Sequence, residues 1–211
     1  MRFEFSLGLR WNANMNYLKK NPDESIVYPF SLQQLKTENP NTSFPENIED
    51  VAEEWNCYPV FITSQPEYNS ITHTIVESEP ELIDGKYFQK WLIIPYSLEE
   101  VKRNKLAFIE SERIAVESLG WDSGRGKLGF SPNDVALLSG VFSLAKEAAN
   151  LNLPLPSIIS IENFQIDFNN IQEMTNMLLQ YGAARVEISK QFAAKIRAVK
   201  EATTVEEVDG V

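Results

Sequence analysis

Residues 69–100, NSITHTIVESEPELIDGKYFQKWLIIPYSLEE, contain two strand-like stretches and the point at which the chain changes to a helical pattern. Residues 69–77 and 86–95 are rich in β-branched and aromatic side chains, and Asp84-Gly85 between them is a typical turn sequence of a β-hairpin. From Ser97 onwards the apolar residues recur at helical spacing. The stretch therefore predicts a small β-sheet followed by a helical region, which together make an α+β fold.

A third strand, at 58–63, would complete a small antiparallel meander with this hairpin, in a module that we bound at 26–96. In the middle strand Ile75 lies on one face and Val76 on the other, and neither face is clearly the buried one. We therefore expect a partner chain to cover the meander on both sides.

The residues before the meander are rich in Asn and Pro and have only short periodic stretches. We predict that residues 1–25 form an extended anchoring segment without a core of its own, and that contacts with other chains continue to about Gln34. Short helices are expected at 31–38, with Ser31 as the cap, and at 47–55.

Residues 97–211 are predicted to form a mainly helical domain with a short two-strand element. Helices are expected at 97–120, 131–150 and 170–202, and strands at 158–161 and 164–168. The longest helix carries a near-heptad set of apolar residues, namely Ile171, Met174, Leu178, Tyr181, Ile188, Phe192 and Val199. Because Arg185 and Lys195 interrupt that seam, packing within its own domain is favoured, and a dimeric or trimeric coiled coil is the second interpretation.

Composition and charge limit the classes of function. The 211 residues are 43% apolar, which is enough for a packed core, and the net charge of -11 opposes binding to nucleic acid or anionic membranes. Cys57 is the only cysteine, so this chain cannot form an internal disulfide or a multi-cysteine metal site. Its apolar runs predict neither a signal peptide nor a membrane-spanning helix.

The glycine-rich loop after the first long helix contains the spacing of a dinucleotide-binding motif at Gly124, Gly126 and Gly129. That motif requires a preceding strand, and here a helix precedes it. The Gly126-Lys127 pair lacks both the earlier glycine and the following Ser or Thr of a phosphate loop. A flexible connection between two helices is the favoured interpretation.

The evidence for catalytic residues is equally weak. Cys57 and His73 could form a nucleophile and base, but no orienting group is identifiable, so we interpret Cys57 as a buried apolar residue and His73 as a strand residue beside a polar neighbour. Adjacent carboxylates usually point into water; these pairs are Glu53 with Glu54, Glu79 with Glu81, Glu99 with Glu100, and Glu206 with Glu207. The acidic end of the chain predicts a helical turn capped by Thr203 or Thr204. We assign no catalytic, cofactor or metal residues.

Residues 26–100 contain five distinctive short features: YPFSLQQL at 28–35, NPNTSFP at 39–45, YPV at 58–60, QPEY at 65–68 and SEPELIDGKYFQKW at 78–91. In this combination the region closely resembles a module of phage tail-fibre and fibre-associated proteins. In the last feature Ser78 stands in the usual glycine position and Tyr87 in the usual tryptophan position. Residues from about 112 to 211 resemble an uncharacterised carboxy-terminal domain that accompanies the module in phage genomes.

The resemblance implies a location in a bacteriophage tail and nothing about chemistry. Because no motif supports catalysis, we expect a structural virion protein, in the fibre or in its attachment to the baseplate, without enzymatic activity. Its expected partners are other tail or baseplate proteins and further copies of itself, with a homotrimer as the first expectation. The expected location is the virion, after synthesis in the host cytoplasm. The alternative is a tail-fibre assembly chaperone that leaves the virion, and a hydrolase of surface polysaccharide ranks third because it would need convergent carboxylates.

Overall fold

The computed structural model describes residues 16–45 and 48–211, so most of the predicted anchoring segment lies outside the described residues. The five-stranded sheet precedes the three long helices along the chain, which confirms the α+β class. The described residues fall into two compact units that divide between Pro95 and Tyr96. In the described part of the chain, no helix combines the length and the apolar character needed to cross a bilayer.

The first unit is built around one curled sheet. Its described elements are β1 (Tyr17–Lys20), β2 (Ile26–Phe30), α1 (Leu32–Glu38), two 3-10 helices (Ile48–Val51 and Glu53–Trp55), β3 (Cys57–Phe61), β4 (His73–Ile83) and β5 (Lys86–Pro95). The strand order is β2-β1-β3-β5-β4, and every neighbouring pair is antiparallel except β3 with β5. The predicted helix from 31 is confirmed, with Ser31 in a capping box, and the predicted helix at 47–55 is replaced by the two 3-10 helices.

The β4–β5 hairpin is the part of the predicted meander that the structure reproduces. Ile83 pairs with Lys86 across a turn in which Asp84 and Gly85 have φ of 48° and 77°, as a tight hairpin requires. The strand predicted from residue 69 begins only at His73, because Asn69 accepts hydrogen bonds from the amides of His73 and, through its side chain, Ile71. It then continues past its predicted end through a bulge.

The connectivity of the meander differs from the prediction. β3 does not pair antiparallel with β4; it pairs parallel with β5, at Val60 with Tyr87 and Phe61 with Phe88. The connection from β3 to β4 contains Pro66 and no strand, and it takes the chain to the far edge of the sheet before β4 begins. A parallel pair needs such a longer connection, which hydrophobic alternation alone does not indicate.

The end of the predicted anchoring segment is a strand inside the sheet. β1 pairs with β2 on one side and with β3 on the other, and Leu18 is completely buried. Its two faces serve two small cores. Leu18 packs with Val60 and Tyr87 on one face, and Tyr17 on the other packs in a cluster with Phe30, Leu35, Ala52 and Cys57. The end of the segment therefore belongs to the sheet of the first unit, and residues beyond 25 supply the cores that bury it.

A hydrogen bond joins the two outer strands of the curled sheet. The hydroxyl of Tyr28, on β2, donates to the carboxylate of Glu77, on β4. Burial, followed by this hydrogen bond, raises the pKa of Tyr28 to about 12 from an ordinary value of 10.0. The folded state therefore holds the phenolic proton at a pH at which the unfolded chain has lost it.

This difference predicts a loss of stability at high pH. Below about pH 10 the contribution of Tyr28 to the free energy of unfolding is fully present. It disappears as the pH rises towards 12, because only the unfolded state releases the proton in that range. Urea unfolding at about pH 9 and about pH 11.5 should show that the free energy of unfolding decreases more for the native protein than for Tyr28→Phe. Equal decreases in both proteins would contradict the role of Tyr28.

The second unit consists of helices and two short hairpins. Its elements are α2 (Leu98–Leu119), β6 (Trp121–Asp122), β7 (Lys127–Leu128), α3 (Pro132–Asn150), β8 (Ile158–Ile159), β9 (Gln165–Ile166), α4 (Ile171–Glu201) and α5 (Val205–Asp209). The three predicted long helices are confirmed and differ from the prediction only at their cap residues. The predicted two-strand element is present but shorter, and α5 confirms the capped turn at Thr204.

The predicted seam of α4 is used inside the second unit. Met174, Tyr181, Phe192 and Val199 are buried, and α4 packs against both α2 and α3. The Lys195 ammonium, one of the two interruptions of the seam, donates to Glu112 of α2 at 2.9 Å. This arrangement confirms the intramolecular interpretation of the α4 pattern.

Candidate functional site

The half of the β4–β5 hairpin that lies away from its turn is only two strands wide. We call residues 73–78 and 90–95 the hairpin arm; they pair with each other from His73 with Pro95 to Ser78 with Lys90. β3 reaches only Phe88, and the chain after it contributes a Thr63 hydroxyl that donates to the carbonyl of Gln89 at 2.8 Å. Among the described residues, the hairpin arm therefore has no third strand.

Both faces of the hairpin arm carry exposed apolar side chains. On one face Val76, Leu92 and Ile94 are 38%, 44% and 42% exposed. On the other face Ile93, which is 43% exposed, pairs with Ile75. A monomeric protein normally covers at least one face of a strand pair, and isolated two-stranded hairpins are marginally stable in water. The hairpin arm is therefore a candidate interaction surface of the first unit.

Two further features mark the base of the hairpin arm. An open groove of about 370 Å³ is lined by Thr63, Pro66, Glu81, Ile83, Phe88, Gln89, Lys90 and Trp91. The indole nitrogen of Trp91 is inaccessible to solvent and has no hydrogen-bond acceptor among the described residues. An unpaired buried donor lowers the stability of the fold by about 1–3 kcal/mol, so the packing around Trp91 is not optimal.

The three glycines of the dinucleotide-like spacing have structural roles. Gly124 and Gly126 lie in the β6–β7 connection with φ of 75° and 142°, where a residue with a Cβ is strained. Gly129 precedes α3, and a Cβ there would stand 2.2 Å from the Asp134 carboxylate that caps the helix. The loop is therefore a short hairpin followed by a helix cap, a more ordered connection than the flexible one predicted.

Cys57 and His73 lie at opposite ends of the first unit's sheet. Val60, on the same strand as Cys57, pairs with Tyr87 at the start of β5, whereas His73 pairs with Pro95 at its end. These two positions of β5 are roughly 27 Å apart along an extended strand. Cys57 is completely buried, and burial raises the pKa of its thiol. The separation and the burial exclude a nucleophile–base pair of these two residues.

His73 has the polar neighbour that its sequence context indicated. Its Nδ1 lies 2.8 Å from the hydroxyl of Thr72, the preceding residue. The buried Cys57 lies in the apolar cluster around Phe30 and Leu35. The interpretations of His73 as a strand residue and of Cys57 as a packing residue are confirmed.

The paired carboxylates serve as helix caps or lie at the surface. Glu100 accepts hydrogen bonds from Ser97, the cap of α2, and these bonds lower the pKa of its carboxyl. Glu207 accepts hydrogen bonds from Thr203 and from Thr204, the cap of α5, and these likewise lower its pKa. Glu79 and Glu81 line an open depression of about 460 Å³ beside Lys90, which approaches Glu81 to 3.4 Å. Both are exposed, so neither has the apolar surroundings that make a carboxyl a general acid.

The sequence indicated that both faces of the hairpin are apolar, but not that part of the hairpin lacks a third strand. The apolar residues on both faces, such as Ile75 and Val76, were the signal that neither face was buried. The absence of a third strand beyond Gln89 was missed, because it depends on the parallel register of β3. The unsatisfied indole of Trp91 has no signal in the sequence.

Comparison of the chain with protein-family models, with curated proteins and with solved structures gave no significant match.

Proposed function

We propose that this protein is a non-catalytic structural component of a bacteriophage tail, in the fibre or in the attachment of the fibre to the baseplate. The observation that carries the proposal is the hairpin arm, whose two faces both expose apolar side chains. The resemblance of residues 26–100 to a tail-fibre module supports the location. Under this proposal the hairpin arm is a contact with neighbouring tail subunits.

Physical chemistry favours an assembly role for the hairpin arm. Burial of apolar surface stabilises a contact by about 25 cal/mol per Å², and exposed apolar patches of this kind are typical of protein interfaces. A partner on the hairpin arm would therefore cover the apolar faces that two strands alone leave exposed.

The symmetry that we propose for this contact is a homotrimer, because closed rotational symmetry is what a fibre shaft requires. The same exposed faces would serve a tail-fibre chaperone, which binds the fibre during assembly and then leaves. Mass spectrometry of purified virions separates the two roles, because a tail component is retained and a chaperone is absent.

The proposal predicts that polar substitutions on the hairpin arm abolish assembly without unfolding the protein. In Leu92→Thr/Ile94→Thr, the new threonines are β-branched, a shape that suits a strand, and exposed substitutions typically change the free energy of unfolding by no more than about 0.5 kcal/mol. Light scattering at concentrations well below micromolar should show the native protein as an oligomer and the double variant as a monomer of 24.0 kDa.

The matched control is Val27→Thr, an exposed apolar residue on β2 that should leave the assembled mass unchanged. If the native protein is monomeric and no tail protein binds it, or if the double variant assembles like the control, the hairpin arm is not the assembly surface.

A further inference from the structure

The outward face of α3 and its C-terminal cap carry three strongly exposed leucines. Leu137 and Leu144, on the helix, and Leu151, the cap residue, are 59%, 65% and 66% exposed and recur at intervals of one heptad. The inner face of the same helix, with Leu138 and Ala145, is already buried in the core of the second unit. The three leucines therefore form an additional apolar ridge that the second unit does not use.

The part of the ridge around Leu137 and Leu144 carries no exposed charge. The first exposed charges of α3 are Lys146 and Glu147, and the exposed residues before them are uncharged, namely Pro132, Asn133, Ala136, Leu137, Ser139, Gly140, Ser143 and Leu144. A helix face in water normally carries charged residues, and this chain has a net charge of -11. Two copies of the chain repel each other over most of their surface, so this charge-free part of the ridge is where they could approach closely.

The spacing of the ridge is self-complementary. Leu137 and Leu144 lie at equal distances in sequence on either side of a point between Gly140 and Val141. A Cβ built on Gly140 meets no atom within 4 Å, so the helix backbone is open to close approach at that point. A two-fold axis there would pack Leu137 against Leu144 of the partner subunit, and the reverse.

We propose that the second unit self-associates through α3, which pairs antiparallel with α3 of a second copy around Gly140. The antiparallel orientation places the positive end of each helix dipole beside the negative end of the other. This contact is separate from the hairpin arm and does not depend on the proposed tail function.

The area of the ridge limits the affinity of the proposed α3–α3 dimer. A helix of 19 residues is about 28 Å long and about 10 Å wide. This face is smaller than the roughly 800 Å² that each partner buries in a standard interface. We therefore expect a concentration-dependent dimer with micromolar affinity, and not a permanent one.

The test is sedimentation equilibrium of the full chain over a range of concentrations. It is performed in the Leu92→Thr/Ile94→Thr background, so that contacts of the hairpin arm do not contribute. The mass should rise with concentration from 24.0 kDa towards twice that value. Gly140→Lys should hold it at the monomer value, because a long charged side chain would stand at the helix crossing.

Glycine at the centre of a helix is unfavourable, so Gly140→Lys should melt at the same or a higher temperature than its parent. This result separates lost association from misfolding. The matched control is Gly182→Lys on α4, where a Cβ likewise meets nothing within 4 Å; it should keep the dimer. A mass of 24.0 kDa at every concentration, or an oligomer that Gly140→Lys does not weaken, would overturn the proposal.

Discussion

Replacement of Leu18 by alanine should lower the free energy of unfolding of the first unit by about 3 kcal/mol. Leu18 is fully buried on β1, where it packs against Val60 and Tyr87. Alanine would leave a cavity between strands that hydrogen bonds hold in place on both sides, so the site cannot collapse easily. Urea unfolding monitored by tryptophan fluorescence measures the change.

The control for Leu18→Ala is Val27→Ala on the neighbouring strand. Val27 is 40% exposed, so its truncation should cost less than about 1 kcal/mol. If the two variants are equally stable, the part of the chain around β1 does not contribute to the core and the anchoring interpretation returns.

The position of β1 also decides how the N-terminal residues can be removed. A deletion of residues 1–23 would remove β1 from the middle of the sheet and should unfold the first unit, whatever the partners of the segment are. A deletion that ends before Asn16 keeps the hydrogen bond from the Val60 amide to the Asn16 carbonyl. Only the shorter deletion tests whether the preceding residues bind other chains.

Gly129→Ala is expected to destabilise the second unit by about 2–3 kcal/mol. The new Cβ would stand 2.2 Å from the Asp134 carboxylate and so displace it from Ser131, the cap of α3. The shift would also disturb the Gly129 carbonyl, which accepts a hydrogen bond from the buried Tyr181 hydroxyl at 2.7 Å. Thermal unfolding followed by circular dichroism should show a lower melting temperature.

Gly124→Ala is the comparison within the same loop. Its φ of 75° is strained for alanine, but a Cβ there meets nothing within 4 Å, so the cost should be only about 1 kcal/mol. Equal losses for the two variants would mean that backbone conformation alone, and not the contact with Asp134, explains the glycine at 129.

The helices of the second unit could be predicted because their boundaries depend on nearby residues. Ser97 with Glu100 and Thr204 with Glu207 each form a capping box over one helical turn. The side chain of each cap residue accepts a hydrogen bond from a backbone amide three positions later, so the pattern can be read in sequence order. Packing of α4 within the unit was predictable for a similar reason, since charges interrupt its seam.

The sheet of the first unit could be predicted only in part, because its order depends on contacts distant in sequence. The Asp84-Gly85 turn defines one hairpin locally, but nothing near Val60 indicates its parallel pairing with Tyr87. β1 has only four residues, and its burial arises from strands that pair on both sides. For the same reason the sequence identified the hairpin arm but could not determine where its third strand ends.

The central position of β1 has a mechanical consequence. A pulling force along the axis of β1 runs in line with its antiparallel neighbours β2 and β3. The hydrogen bonds on both sides of the strand are then loaded in shear and break together, rather than one after another as in a peeled edge strand. Tension along β1 therefore acts on a strand that is held on both sides, unlike the edge strands β2 and β4.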